Sequence, residues 1–172
     1  MSLSLHSVFV PSCLQLLGSM KHLLQKAEAF CQDNNLAQES LIQATLADDM
    51  LPFAYQIKST AAHSEQAIRS LSEGIFSPDM APPPEDFAGL HKQINQAIEY
   101  LESVDETALE AIIGQPMMFK MGDYEIKFTT ENFLLSFSQP NFYFHATTAY
   151  DILRNKGVKI GKGDYIGQVR KS

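Results

Sequence analysis

A chain of 172 residues and 19.2 kDa, 45% hydrophobic, is the size of one ordinary domain and holds enough apolar side chains to bury a core without disulfides or structural metal. Thirteen Lys and Arg against twenty Asp and Glu leave a formal charge of −7, the wrong sign for a protein that neutralises phosphate backbones, so no nucleic-acid partner is expected. No window reaches the roughly 18 uninterrupted apolar residues of a membrane span, which excludes a membrane partner of that kind.

Leu5, Phe9, Leu16, Met20, Leu23, Ala27 and Phe30 recur at steps of three, four or seven, predicting an amphipathic helix over the first 32 residues. Pro11 lacks the amide that bonds the carbonyl of Ser7, so the helix bends or starts there. Asp33, Asn34 and Asn35 close it. Cys13 and Cys31 on one helix lie roughly 27 Å apart, beyond the about 7 Å a disulfide spans. Unpaired thiols suit a reducing compartment, and the N-terminus lacks the positive start of a signal peptide, so a cytoplasmic location is expected.

Residues Leu36 to Ala47 carry a weaker pattern of short turns. Asp48, Asp49 and Pro52 resemble a helix start, with Asp49 as cap, and a second helix is expected from about Asp49 to Ser72. Its core stripe is Met50, Ala54, Ile57, Ala61, Ile68 and Leu71, with Gly74 just past its end. Gly74 to Pro84 is too rich in Gly and Pro for regular structure and reads as a surface connection. A third helix from about Glu85 buries Phe87, Leu90, Ile94, Ala97, Ile98 and Leu101, and Asp105 to Ile113 adds a short helix ended by Gly114. Met117 to Met121 and Tyr124 to Phe128, joined by Gly122 and Asp123, predict a hairpin.

Thr130 then caps a last long helix bearing Phe133, Leu134, Phe137, Phe142, His145, Ala149 and Ile152, kinked by Pro140 and stopped at Arg154-Asn155-Lys156-Gly157. The tail from Arg154 onward holds six basic side chains and one acid, Asp164; it lies on the acidic body or offers an anion-binding edge. Gly161-Lys162-Gly163-Asp164 lacks phosphate-loop spacing and reads as a turn whose Lys162 and Asp164 hold the tail in place. Together the pattern predicts a single all-α domain over residues 1–172, an antiparallel four-helix bundle with a small β-hairpin before the last long helix.

The densest stretch of aromatic and polar residues runs Pro140-Asn141-Phe142-Tyr143-Phe144-His145, Thr148-Ala149-Tyr150 and Ile152-Leu153-Arg154, then Gly157-Val158, Ile160-Gly161-Lys162 and Asp164-Tyr165-Ile166-Gly167. On these residues the chain resembles a bacterial family of unassigned function grouped with the DinB/YfiT-like metalloenzymes. The resemblance implies a four-helix bundle and frequent homodimers. In characterised members it implies a divalent metal held by three histidines, one from helix two and two from an H-x-x-x-H on the last long helix, serving thiol transfer or thiol-dependent isomerisation.

His145 matches one such ligand, but the positions four away are Asn141 and Ala149, neither an ordinary ligand for zinc or nickel. Helix two offers Asp49, Gln56 and His63; His63 is six residues past Ile57, about 600° of turn, roughly 120° off the core direction and so expected in solvent. Gln56 flanks the interior. No metal and no cofactor are therefore expected.

The reading that follows is a small-molecule pocket between helices two and four. Its catalytic candidates are His145, a neutral imidazole serving as base or hydrogen-bond anchor, and Tyr150; its ligand-binding candidates are Gln56, Asn141, Tyr143 and Thr148. Two alternatives stand beside it: a structural or interaction homodimer in which His145 is a packing residue, and a divalent-metal-dependent thiol transferase with a non-standard ligand set. Cys13 and Cys31 read as inert packing thiols, and no G-x-S-x-G supports hydrolase chemistry.

Overall fold

The computed structural model describes residues 3–171. Helix α1 (Leu5–Asp33) opens with Ser4, whose Oγ accepts the Ser7 amide at 3.0 Å. It runs unbroken through Pro11, so the proline neither starts nor stops it. Its buried stripe includes Phe9, Cys13, Leu17, Met20, Leu24 and Ala27, as the apolar spacing requires. Both cysteines are buried and free, and burial pushes the Cys13 thiol well above its usual range. A four-residue helix, α2 (Glu39–Ile42), follows.

The second long helical segment begins at α3 (Phe53–Ala61), four residues later than the sequence suggests. Its cap position is Pro52, so Asp49 is not the cap: it lies in the preceding turn. The winding then loosens into a first π turn (Ala62–Gln66), returns to α in α4 (Ala67–Arg69) and tightens to a 3-10 turn (Ser70–Ser72). Gln56, Ile57, Lys58, Ser59, Thr60 and Ala61 are all buried, so α3 is enclosed on nearly every side instead of along one stripe.

Lys58 is the unexpected member of that set. Its Nζ donates to the carbonyls of Asp79 (2.9 Å) and Ala81, and lies 3.0 Å from the Asp79 carboxylate. A buried ammonium is tolerated because its donors are used. Lys58 thereby pins the proline-rich connection to the helix. That connection is not wholly irregular, since Ile75–Phe76 forms a short strand, β1.

Helices α5 (Phe87–Glu102) and α6 (Glu106–Glu110) are capped by Asp86 and Asp105, whose carboxylates accept the Gly89 and Ala108 amides at 2.7 Å each. The hairpin is β2 (Pro116–Met121) and β3 (Tyr124–Thr129), turned by Gly122 at φ +60°. β2 also pairs in parallel with β1, Phe76 opposite Phe119, giving a three-stranded sheet in the order β1-β2-β3. The fold is therefore mostly helical with a small sheet, not all-α. The third strand escaped the sequence reading because it is two residues long and set among Gly and Pro.

The last segment comprises α7 (Thr130–Asn132), a second π turn (Phe133–Ser138) and α8 (Gln139–Asn155). Thr130 is the first helical residue instead of the cap, and its hydroxyl donates to the Gln115 carbonyl at 3.2 Å. Pro140 sits where the π turn passes into α8, so the irregularity it forces precedes it. Phe76, Phe119, Phe128, Phe133 and Phe137 pack against one another in stacked, tilted and edge-on pairs with centroids 4.9 to 6.2 Å apart, fastening the sheet to this turn.

Helix α1 packs on α5 and α8, and α3 packs on α5 and α8. A five-residue helix, α9 (Lys162–Ile166), lies against α1 where a plain turn was expected, with Asp164 joined to His22 at 2.8 Å.

Candidate functional site

The polar residues between α3 and α8 form a reciprocal pattern. His145 Nδ1 lies 2.7 Å from Gln56 Oε1, and His63 Nδ1 lies 3.3 Å from Ser138 Oγ. Gln56 and His63 are seven residues apart, as are Ser138 and His145. Seven residues make about 700° of turn, within about 20° of two full turns, so each pair shares a face. The two cross-links run in opposite chain directions, so the two helical segments are antiparallel. The two imidazoles meet in the middle, nearly parallel at 11° with centroids 5.8 Å apart.

Hydrogen-bond inventory assigns the protons. Gln56 Nε2 donates to the Leu51 carbonyl at 2.8 Å, so Oε1 faces His145 and can only accept. His145 Nδ1 therefore carries the hydrogen. Ser138 Oγ donates to the His63 carbonyl at 3.0 Å, which leaves its lone pair to accept from His63 Nδ1–H. Both rings are thus the Nδ1–H tautomer, with neither Nε2 bonded to any other of the described residues.

Burial holds both rings neutral: it lowers His145 to about 4, and His63 to about 3 with help from the neighbouring His145. Each ring remains partly accessible. Tyr55 and Phe144 approach His145 edge-on, at 6.0 and 5.3 Å between centroids, and Phe144 is 56% exposed. Phe76 and Phe137 flank His63 at 5.4 and 5.9 Å. The result is a pair of half-buried neutral acceptors flanked by aromatic rings.

Of the residues expected at the site, the structure brings together His145 and Gln56. Asn141 donates Nδ2 to the Phe137 carbonyl and Thr148 donates its hydroxyl to the Phe144 carbonyl, both at 2.8 Å, so each serves its own helix. Tyr143 borders a separate cavity with Ser12, Gln15, Leu16, Tyr165 and Ile166. Tyr150 packs edge-on to Tyr165 of the C-terminal segment at 5.8 Å. These two tyrosines lie on the faces of α8 turned toward α1 and the tail, away from the Gln56 bond.

His63 is the main correction: it is partly buried in the site, not in solvent. Measuring its angle from Ile57 alone assumed one buried stripe, whereas α3 is enclosed all round; measured from Gln56, the same spacing places it beside that residue. Ser138 and Tyr55 were also missed. For Ser138 the seven-residue step to His145 was the available signal.

This arrangement defines a DinB-like helical domain with a histidine pair between two antiparallel segments. The chain belongs to the DUF1993 family, described as a domain of unknown function, which it matches over residues 5–166. It is similar to the crystal structure of a DinB family member protein from Shewanella denitrificans: the TM-score is 0.79, the identity 27%, and the match covers 98% of this chain and 94% of that one. No curated protein sequence matches it.

The three-histidine metal centre implied by the resemblance does not fit the donors present. Two imidazoles converge, but Asn141 is committed to a carbonyl, Ala149 has no donor, and Gln56 Oε1 is occupied by His145. Among the described residues no three His, Cys, Asp or Glu side chains come together as a ligand set.

Proposed function

We propose that the interface between α3 and α8, set in a DinB-type antiparallel four-helix bundle, binds a small molecule through His145 and His63 acting as neutral hydrogen-bond acceptors. The observation that supports this is the Leu51–Gln56–His145 relay, which fixes the ring and its tautomer and leaves Nε2 without a partner among the described residues on a half-buried side chain. Magnitude selects binding over proton abstraction. At pH 7, protonating a group whose pKa is about 4 costs about 4 kcal/mol, whereas an efficient general base titrates near the working pH.

The chemistry fits a compact, largely apolar molecule that presents two N–H or O–H donors to the two Nε2 atoms. Its apolar body would lie against Tyr55, Phe137 and Phe144. A fragment screen read by the imidazole 15N resonances tests this: bound fragments should shift Nε2 of both histidines and lose binding in His145→Ala and His63→Ala. Fragments that bind only elsewhere, or binding indifferent to both substitutions, would refute it.

A second reading, an interaction homodimer, has its support in the exposure of Phe144 and Leu135 on the same helical segment. Under that reading Phe144→Glu converts a dimer to a monomer in sedimentation, with the fold retained.

A further inference from the structure

Away from the histidine pair, a furrow runs between α1 and the C-terminal segment. It consists of two cavities of about 450 and 390 Å3. Gly18, Ser19, His22, Gly163 and Asp164 border the first; Lys26, Asp33 and Lys159 border the second. Ser19, His22 and Lys26 follow one another at steps of three and four, so the two cavities lie end to end along one face of α1.

Two glycines in this furrow have no packing reason to be there. Gly18 is interior to α1 and Gly163 lies within α9, yet a Cβ at either would meet no atom within 4 Å. Glycine weakens a helix interior relative to alanine. A side chain is absent where it would help the helix and where space is open for it, which is what close approach of a ligand to the backbone requires. Gly167 is different, since its φ is +64° and a Cβ there would run into Ser19 Oγ.

Between the glycines, His22 Nε2–H donates to Asp164 Oδ1 at 2.8 Å, and Asp164 Oδ2 accepts the Gly161 amide at 2.7 Å. Both carboxylate oxygens are thus engaged within the protein. Gln15 donates Nε2 to the Ile166 carbonyl at 2.8 Å, which directs its Oε1 elsewhere. At the other end Lys26 and Lys159 lie with Asp33, and Lys26 also helps to hold the Asp164 carboxyl below its usual range, but neither lysine makes an ion pair within 4.0 Å among the described residues.

We propose that this furrow binds a metabolite-sized organic anion, its phosphate or carboxylate held by Lys26 and Lys159 and its polar body lying over Gly18 and Gly163 beside the His22–Asp164 pair. The site is separate from the His63–His145 pair and stands or falls independently of it.

Backbone 15N spectra of the full chain, titrated with glycerol 3-phosphate and separately with glutarate, test the proposal. Saturable shifts at Gly18, Gly163 and His22 are expected with at least one of them, and which one responds tells phosphate from carboxylate. Lys26→Glu with Lys159→Glu should weaken binding by about tenfold or more. Gly18→Leu should abolish it, while Gly18→Ala raises the Tm of the free protein. Saturable shifts with neither anion, binding retained in both the double lysine variant and Gly18→Leu, or a lowered Tm in Gly18→Ala would overturn it.

Discussion

The neutral imidazoles have a consequence for acid stability whose sign follows from their environment. His145 titrates near 4 and His63 near 3 in the folded protein, against about 6.5 in an unfolded chain. Below about pH 6.5 the unfolded state binds the protons, so folded stability falls as the pH drops, and His145 stops contributing to that fall once its own pKa near 4 is passed. Above about 6.5 neither ring contributes. The loss from His145 alone reaches about 3 kcal/mol near pH 4. His145→Phe should therefore flatten the acid limb of stability measured by urea unfolding between pH 7 and pH 4; a limb as steep as the wild type's would contradict the assignment.

Gln56→Leu is the sharper test of the relay. It strips the acceptor from His145 Nδ1–H while conserving apolar volume, and an unpaired buried donor costs about 1–3 kcal/mol. The expected result is a loss of that size in urea unfolding, together with a mixed ring tautomer. A stability unchanged from the wild type would mean the ring is satisfied by something other than Gln56.

At the scale of elements, the periodic features were legible and the aperiodic ones were not. The hairpin strands, α1 and α5 lay where apolar spacing and turn residues put them, because α1, α5 and β2 each bury one face and β3 half-buries Ile126 and Phe128 on one side. The second and last segments each contain a π turn, and 3.6-residue periodicity does not describe that winding. His63 and Ser138 sit in those turns; His63 was missed because its direction was measured from one assumed buried stripe, while its seven-residue step from Gln56, like that of Ser138 to His145, was readable.

Lys58 was invisible for a related reason, since its partners are main-chain carbonyls that no side-chain pattern encodes. Lys58→Met should destabilise the protein by about 1–3 kcal/mol through loss of charge-assisted hydrogen bonds. It should also speed proteolysis within residues 77–84. Wild-type cleavage rates would show that the connection is held without the lysine. Gly18→Ala, by contrast, should stabilise α1 by roughly 0.5–1 kcal/mol, read as a higher urea midpoint.

Across the whole molecule, two long segments, α1 and α5, supply a conventional apolar core, while α3 and α8 spend part of their shared interface on polar side chains. Polar groups at that position cost burial free energy unless satisfied, and here each Nδ1–H is satisfied while each Nε2 is not. The fold thus presents two nearly parallel acceptors of one kind, their ring centroids 5.8 Å apart. DinB-like architecture is retained over nearly the full chain, and among the described residues no three His, Cys, Asp or Glu side chains come together as a ligand set.

The most direct measurement is a long-range 1H–15N correlation of the histidine rings in the intact protein, followed from pH 7 down to pH 4. Both His63 and His145 should appear as neutral Nδ1–H tautomers at pH 7, with His145 about half protonated only when the pH reaches about 4. Rings protonated on Nε2 at neutral pH, or titrating near 6.5 like exposed histidines, would contradict the assignment.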